Sequence, residues 1–112
     1  MLSKGQEAVQ LAHAAGVCVG FGTDLMGDLE DDQLAGVRLQ VAASGAAATL
    51  RSMTTVNADL IGDPALGHLG AGAYGDAVVL ASDPIAEPAA LWDAGARVAV
   101  VHAGRVVDQH TR

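Results

Sequence analysis

The feature that most constrains this chain is a short run near its start. Gly16-Val17-Cys18-Val19-Gly20-Phe21 is apolar without alternation, and Gly22-Thr23-Asp24 follows directly. A strand with one wet face alternates polar and apolar side chains. An unbroken apolar strand belongs to a parallel sheet covered on both faces. Residues 17–21 are therefore predicted as a buried strand, with Cys18 as a buried structural thiol. Parallel neighbours require crossover connections, and no second run of this type lies nearby. The expectation is a folding unit larger than these 112 residues.

The flanking segments fit half of an α/β unit. Residues 4–15 carry Ala8, Val9, Leu11 and Ala12 at helical spacing, with Ser3 as N-cap and Gly16 as terminator. After the acidic loop Asp28, Glu30, Asp31, Asp32, residues 33–43 read as a helix with Leu34, Val37, Leu39 and Val41 as its apolar face. Residues 46–53 and 55–61 read as two short helices stopped by Gly62-Asp63-Pro64. Beyond Pro64 the character changes. Residues 66–75 are punctuated by glycine, 77–81 read as a second buried strand, and 87–94 as one helical turn. Residues 97–101 and 105–108 form a β-hairpin around Ala103-Gly104. Aromatic residues make up only 3% of the chain, so Trp92 is expected as a core filler among small aliphatic groups.

Charge and cysteine content narrow the functional classes. A net charge of −7 with six basic residues argues against a nucleic-acid partner. A single cysteine excludes an internal disulfide and a cysteine-based zinc finger. No apolar run reaches the roughly 20 residues that span a bilayer, so no membrane partner is expected. No apolar signal core opens the sequence, and the default compartment is the cytoplasm. Gly67, Gly70, Gly72 and Gly75 enter a strand and lack a Lys-Ser/Thr ending. They are expected to serve turns with positive φ, not a phosphate loop. Ser44 and Ser52 lack a Gly-x-Ser-x-Gly setting, which disfavours a serine hydrolase.

Four stretches share an order and spacing with a known family. They are Gly16-Val17 through Phe21-Gly22-Thr23-Asp24; Leu50-Arg51 with Thr54, Ala58 and Leu60-Ile61-Gly62; Leu66-Gly67, Leu69, Gly72, then Gly75-Asp76-Ala77-Val78-Val79-Leu80; and Asp83-Pro84 with Val98, Val101 and Gly104-Arg105-Val106-Val107. Together they resemble the C-terminal portion of a metal-dependent amidohydrolase, of the branch that includes imidazolonepropionases and Xaa-Pro dipeptidases. The resemblance implies an α/β fold. Residues 1–64 would be the last strand and helices of a (β/α)₈ barrel, and 65–112 strands of a small β-sandwich domain. A complete barrel takes about 250 residues, so the expected identity is a fragment.

The resemblance also implies a site. Catalytic groups of such barrels sit at the C-terminal ends of strands, where Asp24 stands. There a carboxylate can ligate a divalent metal or take a proton from metal-bound water; it can equally cap the turn or the next helix. The family pattern gives Asp24 the first role, with zinc as the expected metal. It places a His-x-His and two further His upstream of these residues. One carboxylate cannot hold zinc, since catalytic sites use about three protein ligands, so tight metal binding to this chain alone is not expected. His13, His68, His102 and His110 read as capping or surface residues. Met26, Asp28 and Glu30 lie in the loop that faces substrate in the family, and are candidate specificity residues. Asp76 is expected to hydrogen bond at the start of its strand.

The expected activity is hydrolysis of an amide or other C–N bond, in a dipeptide, cyclic amide or imidazolone. The barrel portion bearing the other ligands would belong to the same or a separate chain. The competing reading is a non-catalytic α/β domain that self-associates, as a homo-oligomer, or binds a protein partner. Its basis is the unpaired strand and the apolar helix faces.

Overall fold

A computed structural model describes residues 3–23 and 33–109. Helices occupy the first part of the chain and strands the last, an α/β arrangement. Helix α1 (Lys4–Ala14) starts at Ser3, whose hydroxyl accepts from the Gln6 amide while the Gln6 side chain accepts from the Ser3 amide. This capping box satisfies two amides that a helix start leaves unpaired. Gly16, at φ 76°, takes the chain out of the helix. No residue of α1 is fully buried, and Leu11 is exposed. The helix rests on α2 (Gln33–Ser44), where the Gln6 Nε2 donates to the Leu39 carbonyl at 3.2 Å. Of the apolar face expected on α2, Val37 is buried, while Leu39 is exposed.

Gly45 separates α2 from α3 (Ala46–Arg51). The two short helices expected over 46–61 are in fact one continuous helical rod. Its middle, Ser52–Val56, is wound as a π turn, and α4 (Asn57–Ile61) completes it. Gly62 stops the rod in the left-handed conformation at φ 87°, the usual C-terminal use of glycine. Among the described residues Thr49 and Ser52 are the most enclosed polar ones, at 0% and 1% exposure. Each is satisfied by a carbonyl: Thr49 Oγ1 donates to Gly45 and Ser52 Oγ to Val19.

The sheet is three-stranded and antiparallel, in the order β1 (Ala77–Leu80), β2 (Arg97–His102), β3 (Arg105–Gln109). Short 3₁₀ turns at Pro88–Leu91 and Ala94–Ala96 connect β1 to β2. The hairpin turn is the expected Ala103-Gly104. Both residues have positive φ, 51° and 77°, as a two-residue turn matching the strand twist requires. Asp76 behaves as expected: its Oδ1 accepts from the Ala103 amide at 2.9 Å and lies 3.3 Å from His102 Nδ1. The sheet meets the helices where α2 packs near Pro88–Leu91 and the Arg38 guanidinium lies 6.0 Å from the centre of the Trp92 ring. Trp92 is thus half-buried with a cation on its face rather than enclosed as a core filler.

Several expectations are corrected. Residues 17–21 are not a strand. They carry no regular secondary structure and no ladder partner among the described residues, and strand pairing is what defines a strand. Cys18 is exposed rather than buried. β1 is half-covered rather than enclosed: Val78 and Val79, on opposite faces of the strand, are both exposed. Among the four glycines of the connection, Gly67 and Gly72 have positive φ and Gly70 and Gly75 do not. Gly75 is instead needed for close approach, because a Cβ there would lie 2.8 Å from the Gly104 amide nitrogen.

Candidate functional site

The residues nominated from the sequence as site residues, Asp24, Met26, Asp28 and Glu30, lie outside the described residues, as does His110. What the structure does show is how the segment leading to them is held. Residues 17–23 pair with no strand among the described residues, and their backbone polar groups need other partners. Two side chains of the π turn and α4 supply them. The Asn57 carboxamide makes a paired contact with Phe21: the Phe21 amide donates to Oδ1 at 2.9 Å, and Nδ2 donates to the Phe21 carbonyl at 2.9 Å. Ser52 Oγ donates to the Val19 carbonyl at 2.5 Å.

Glycine completes the grip on both sides. A Cβ at Gly20 would collide with Asn57 Oδ1 and come within 2.8 Å of Leu60 Cδ1. On the opposite side, a Cβ at Gly36 of α2 would meet the Phe21 ring at 3.5 Å and the Thr23 methyl at 3.6 Å. The segment therefore lies between α2 and the helical rod, fixed at Val19 and Phe21 by hydrogen bonds and at Phe21 and Thr23 by packing. In the sequence Ser52 stands out only as a disfavoured nucleophile, and no motif marks Asn57. The one available signal was a polar side chain just ahead of a buried Ala58 near the end of a helix.

The histidines are dispersed. His68 turns its ring onto its own loop, with Nε2 2.9 Å from the Pro64 carbonyl and Nδ1 accepting from the Gly70 amide at 3.0 Å. His102 lies beside Asp76 at the hairpin. The His13 Nε2 is buried without a partner among the described residues. No three His, Cys, Asp or Glu side chains come together among the described residues, so these residues alone do not fit a metal ion. Nearby in sequence, Tyr74 donates to Asp63 Oδ2 at 3.0 Å, and that hydrogen bond to a carboxylate pushes the phenol above its ordinary pKa. No helix among the described residues is long and apolar enough to cross a membrane.

A cleft of about 660 Å³ opens between the rod, the 67–69 loop and one face of the sheet. Its walls are mainly Leu34, Met53, Leu80, Leu91 and Val100, with Asp76 and His102 at its edge. It does not include the residues that grip the 17–23 segment.

These features place the chain in a known class of proteins. The sequence profile of the amidohydrolase family matches residues 1–107. The chain belongs to the amidohydrolase family. Solved structures agree. A prolidase complexed with N-methylphosphonate-L-proline is 34% identical, with a TM-score of 0.89 over 96% of this chain. A second crystal structure of that same protein, described there as uncharacterized, is 32% identical with a TM-score of 0.90 over 96% of this chain. A third, of an amidohydrolase, is 28% identical with a TM-score of 0.89. The chain spans 27% of the length of the chain in each of these structures. No curated protein sequence matches it.

Proposed function

We propose that this chain is the C-terminal part of an amidohydrolase that cleaves the C–N bond of a small substrate, and that it is inactive alone. Residues 1–64 are read as the closing strand and helices of a (β/α)₈ barrel, and 65–112 as strands of the small β domain. The observation that carries the reading is the likeness to a prolidase over 96% of this chain. A methylphosphonyl group on a proline nitrogen puts a tetrahedral anionic centre where the carbonyl carbon of an Xaa-Pro bond would react. Compounds of that shape suit sites built for the transition state of amide hydrolysis. Among the dipeptides, cyclic amides and imidazolones that the sequence admits, Xaa-Pro dipeptides are therefore the proposed substrates.

Asp24 is proposed as the reacting carboxylate, with Met26, Asp28 and Glu30 facing the substrate. The divalent metal, proposed as zinc, belongs to a site completed by residues beyond those described. The test is hydrolysis of Xaa-Pro dipeptides in the presence of zinc, by this chain and by the polypeptide extended through the upstream reading frame. Turnover by the extended protein, lost in Asp24→Asn, is the expected result. Equal turnover by Asp24→Asn would refute the assignment.

A second reading, a non-catalytic module that self-associates, draws on the exposed Leu69, Val78, Val106 and Val107. Light scattering separates the two. A discrete, cooperatively melting homodimer of this chain favours the second.

A further inference from the structure

We propose that Asn57 is a positioning residue, acting as a one-residue substitute for a neighbouring strand. Its carboxamide offers one donor and one acceptor in a plane, the same pair that a strand presents to its neighbour. Both are used on a single residue, Phe21. A contact of that kind fixes the direction and the register of the chain, because sliding by one residue would present Gly20 or Gly22 groups turned the other way. Ser52 pins Val19 two residues earlier, and Gly20 between them has no side chain to obstruct the approach. Asp24 follows Phe21 by three positions, a span of at most about 10 Å. The register set at Phe21 thus sets the point from which the chain departs toward Asp24. This inference rests on the reading of Asp24 given above for its chemical meaning, but not for its test.

The test uses the labelled 112-residue chain and nuclear magnetic resonance, with amide exchange at Phe21 and the backbone resonances of Thr23 and Asp24 as readouts. Asn57→Ala is expected to raise exchange at Phe21 on the order of tenfold or more, the loss of hydrogen bonds of ordinary net strength, and to shift Thr23 and Asp24. Gly20→Ala attacks the contact from the other side and is expected to do the same. Asn57→Asp is the decisive variant. A protonated carboxyl reproduces the donor and acceptor of the amide, whereas a carboxylate only accepts. Protection at Phe21 should then approach the parent value in acid and fall as the carboxyl ionises, with Thr23 and Asp24 following the same curve.

A side chain that merely fills space would give no such pH profile. PH-independent protection in Asn57→Asp would overturn the proposal even if Asn57→Ala failed to fold. So would loss of protection at Phe21 with Thr23 and Asp24 unmoved. Matching shifts in a protein whose hydrolysis survives Asp24→Asn would uphold the positioning and refute only the role of Asp24.

Discussion

Gly67 offers a quantitative test of how the glycine-rich connection is tied to the helical rod. Its φ is 82°, and a Cβ there would lie 2.5 Å from the Thr54 carbonyl oxygen, 2.8 Å from its carbon and 3.0 Å from Ala58 Cβ. Two penalties follow for Gly67→Ala. The left-handed backbone costs a residue with a Cβ roughly 1–2 kcal/mol. The contact adds an overpacking cost of about 1–3 kcal/mol, because a backbone carbonyl cannot rotate away as a side chain can. Gly72 supplies the control: its φ is 87°, yet nothing lies within 4 Å of a Cβ built there. Gly72→Ala carries the backbone penalty alone, and any gain from stiffening the unfolded chain is shared by both variants. The difference between them, about 1–3 kcal/mol, isolates the contact. Urea unfolding followed by the fluorescence of Trp92, the single tryptophan, reads it directly. With a slope of about 2 kcal/mol per molar, the Gly67→Ala midpoint should fall below that of Gly72→Ala by roughly 0.5–1.5 M. Equal midpoints would refute the claim that the 67–69 loop presses on the π turn.

Two further outcomes are expected. Tyr74 is the only tyrosine, so phenolate absorbance titrates it alone. Its midpoint should lie above 10.0 and return toward it in Asp63→Asn, whereas an unchanged midpoint would mean that the hydrogen bond is absent in solution. Because the folded value is raised, the associated stability is present below the unfolded pKa and is lost as the pH rises through the folded one. Ala103 sits at φ 51° in a turn that favours Asn-Gly. Ala103→Asn is expected to stabilise the hairpin by about 0.5–1 kcal/mol, seen as a higher melting temperature; a lower one would show that the turn relaxes with alanine.

The sequence was most informative where structure is local. The Ser3 and Gln6 capping box, the Gly62 stop, the Ala103-Gly104 turn and the hydrogen bonds of Asp76 each follow from residues close in the chain, or from a turn that fixes its own geometry. It was least informative where cover comes from afar. An apolar run such as 17–21 records that its side chains suit a dry sheet, but pairing depends on a partner that the described residues do not supply. The contact that replaces it spans 36 residues, from Phe21 to Asn57, and no periodicity reports it. The exposure of Cys18, Val78 and Val79 follows the same logic. The π turn was hidden for another reason. Residues 46–53 and 55–61 read as two short helices, whereas the chain runs through Thr54 as one rod with a widened turn.

That widened turn resets the phase of the rod. In an unbroken α-helix each residue advances about 100°, so Asp59 would lie roughly 20° from the direction of Ser52, while Ala58 would point roughly 120° away. The side of the rod that faces Val19 would then receive a carboxylate. The π turn closes its hydrogen bonds five residues apart and delays the rotation. The delay, about one residue, turns Asp59 away from that direction into solvent and brings Leu60, whose Cδ1 lies beside Gly20, into line with Ser52 instead. A regular helix would have better hydrogen-bond geometry and a buried, unpaired charge, whose cost is the larger. The irregularity therefore acts as a frame correction: the polar and apolar pattern before Ser52 and the pattern after Val56 are each helical, and only one extra residue of winding lets both face the right way.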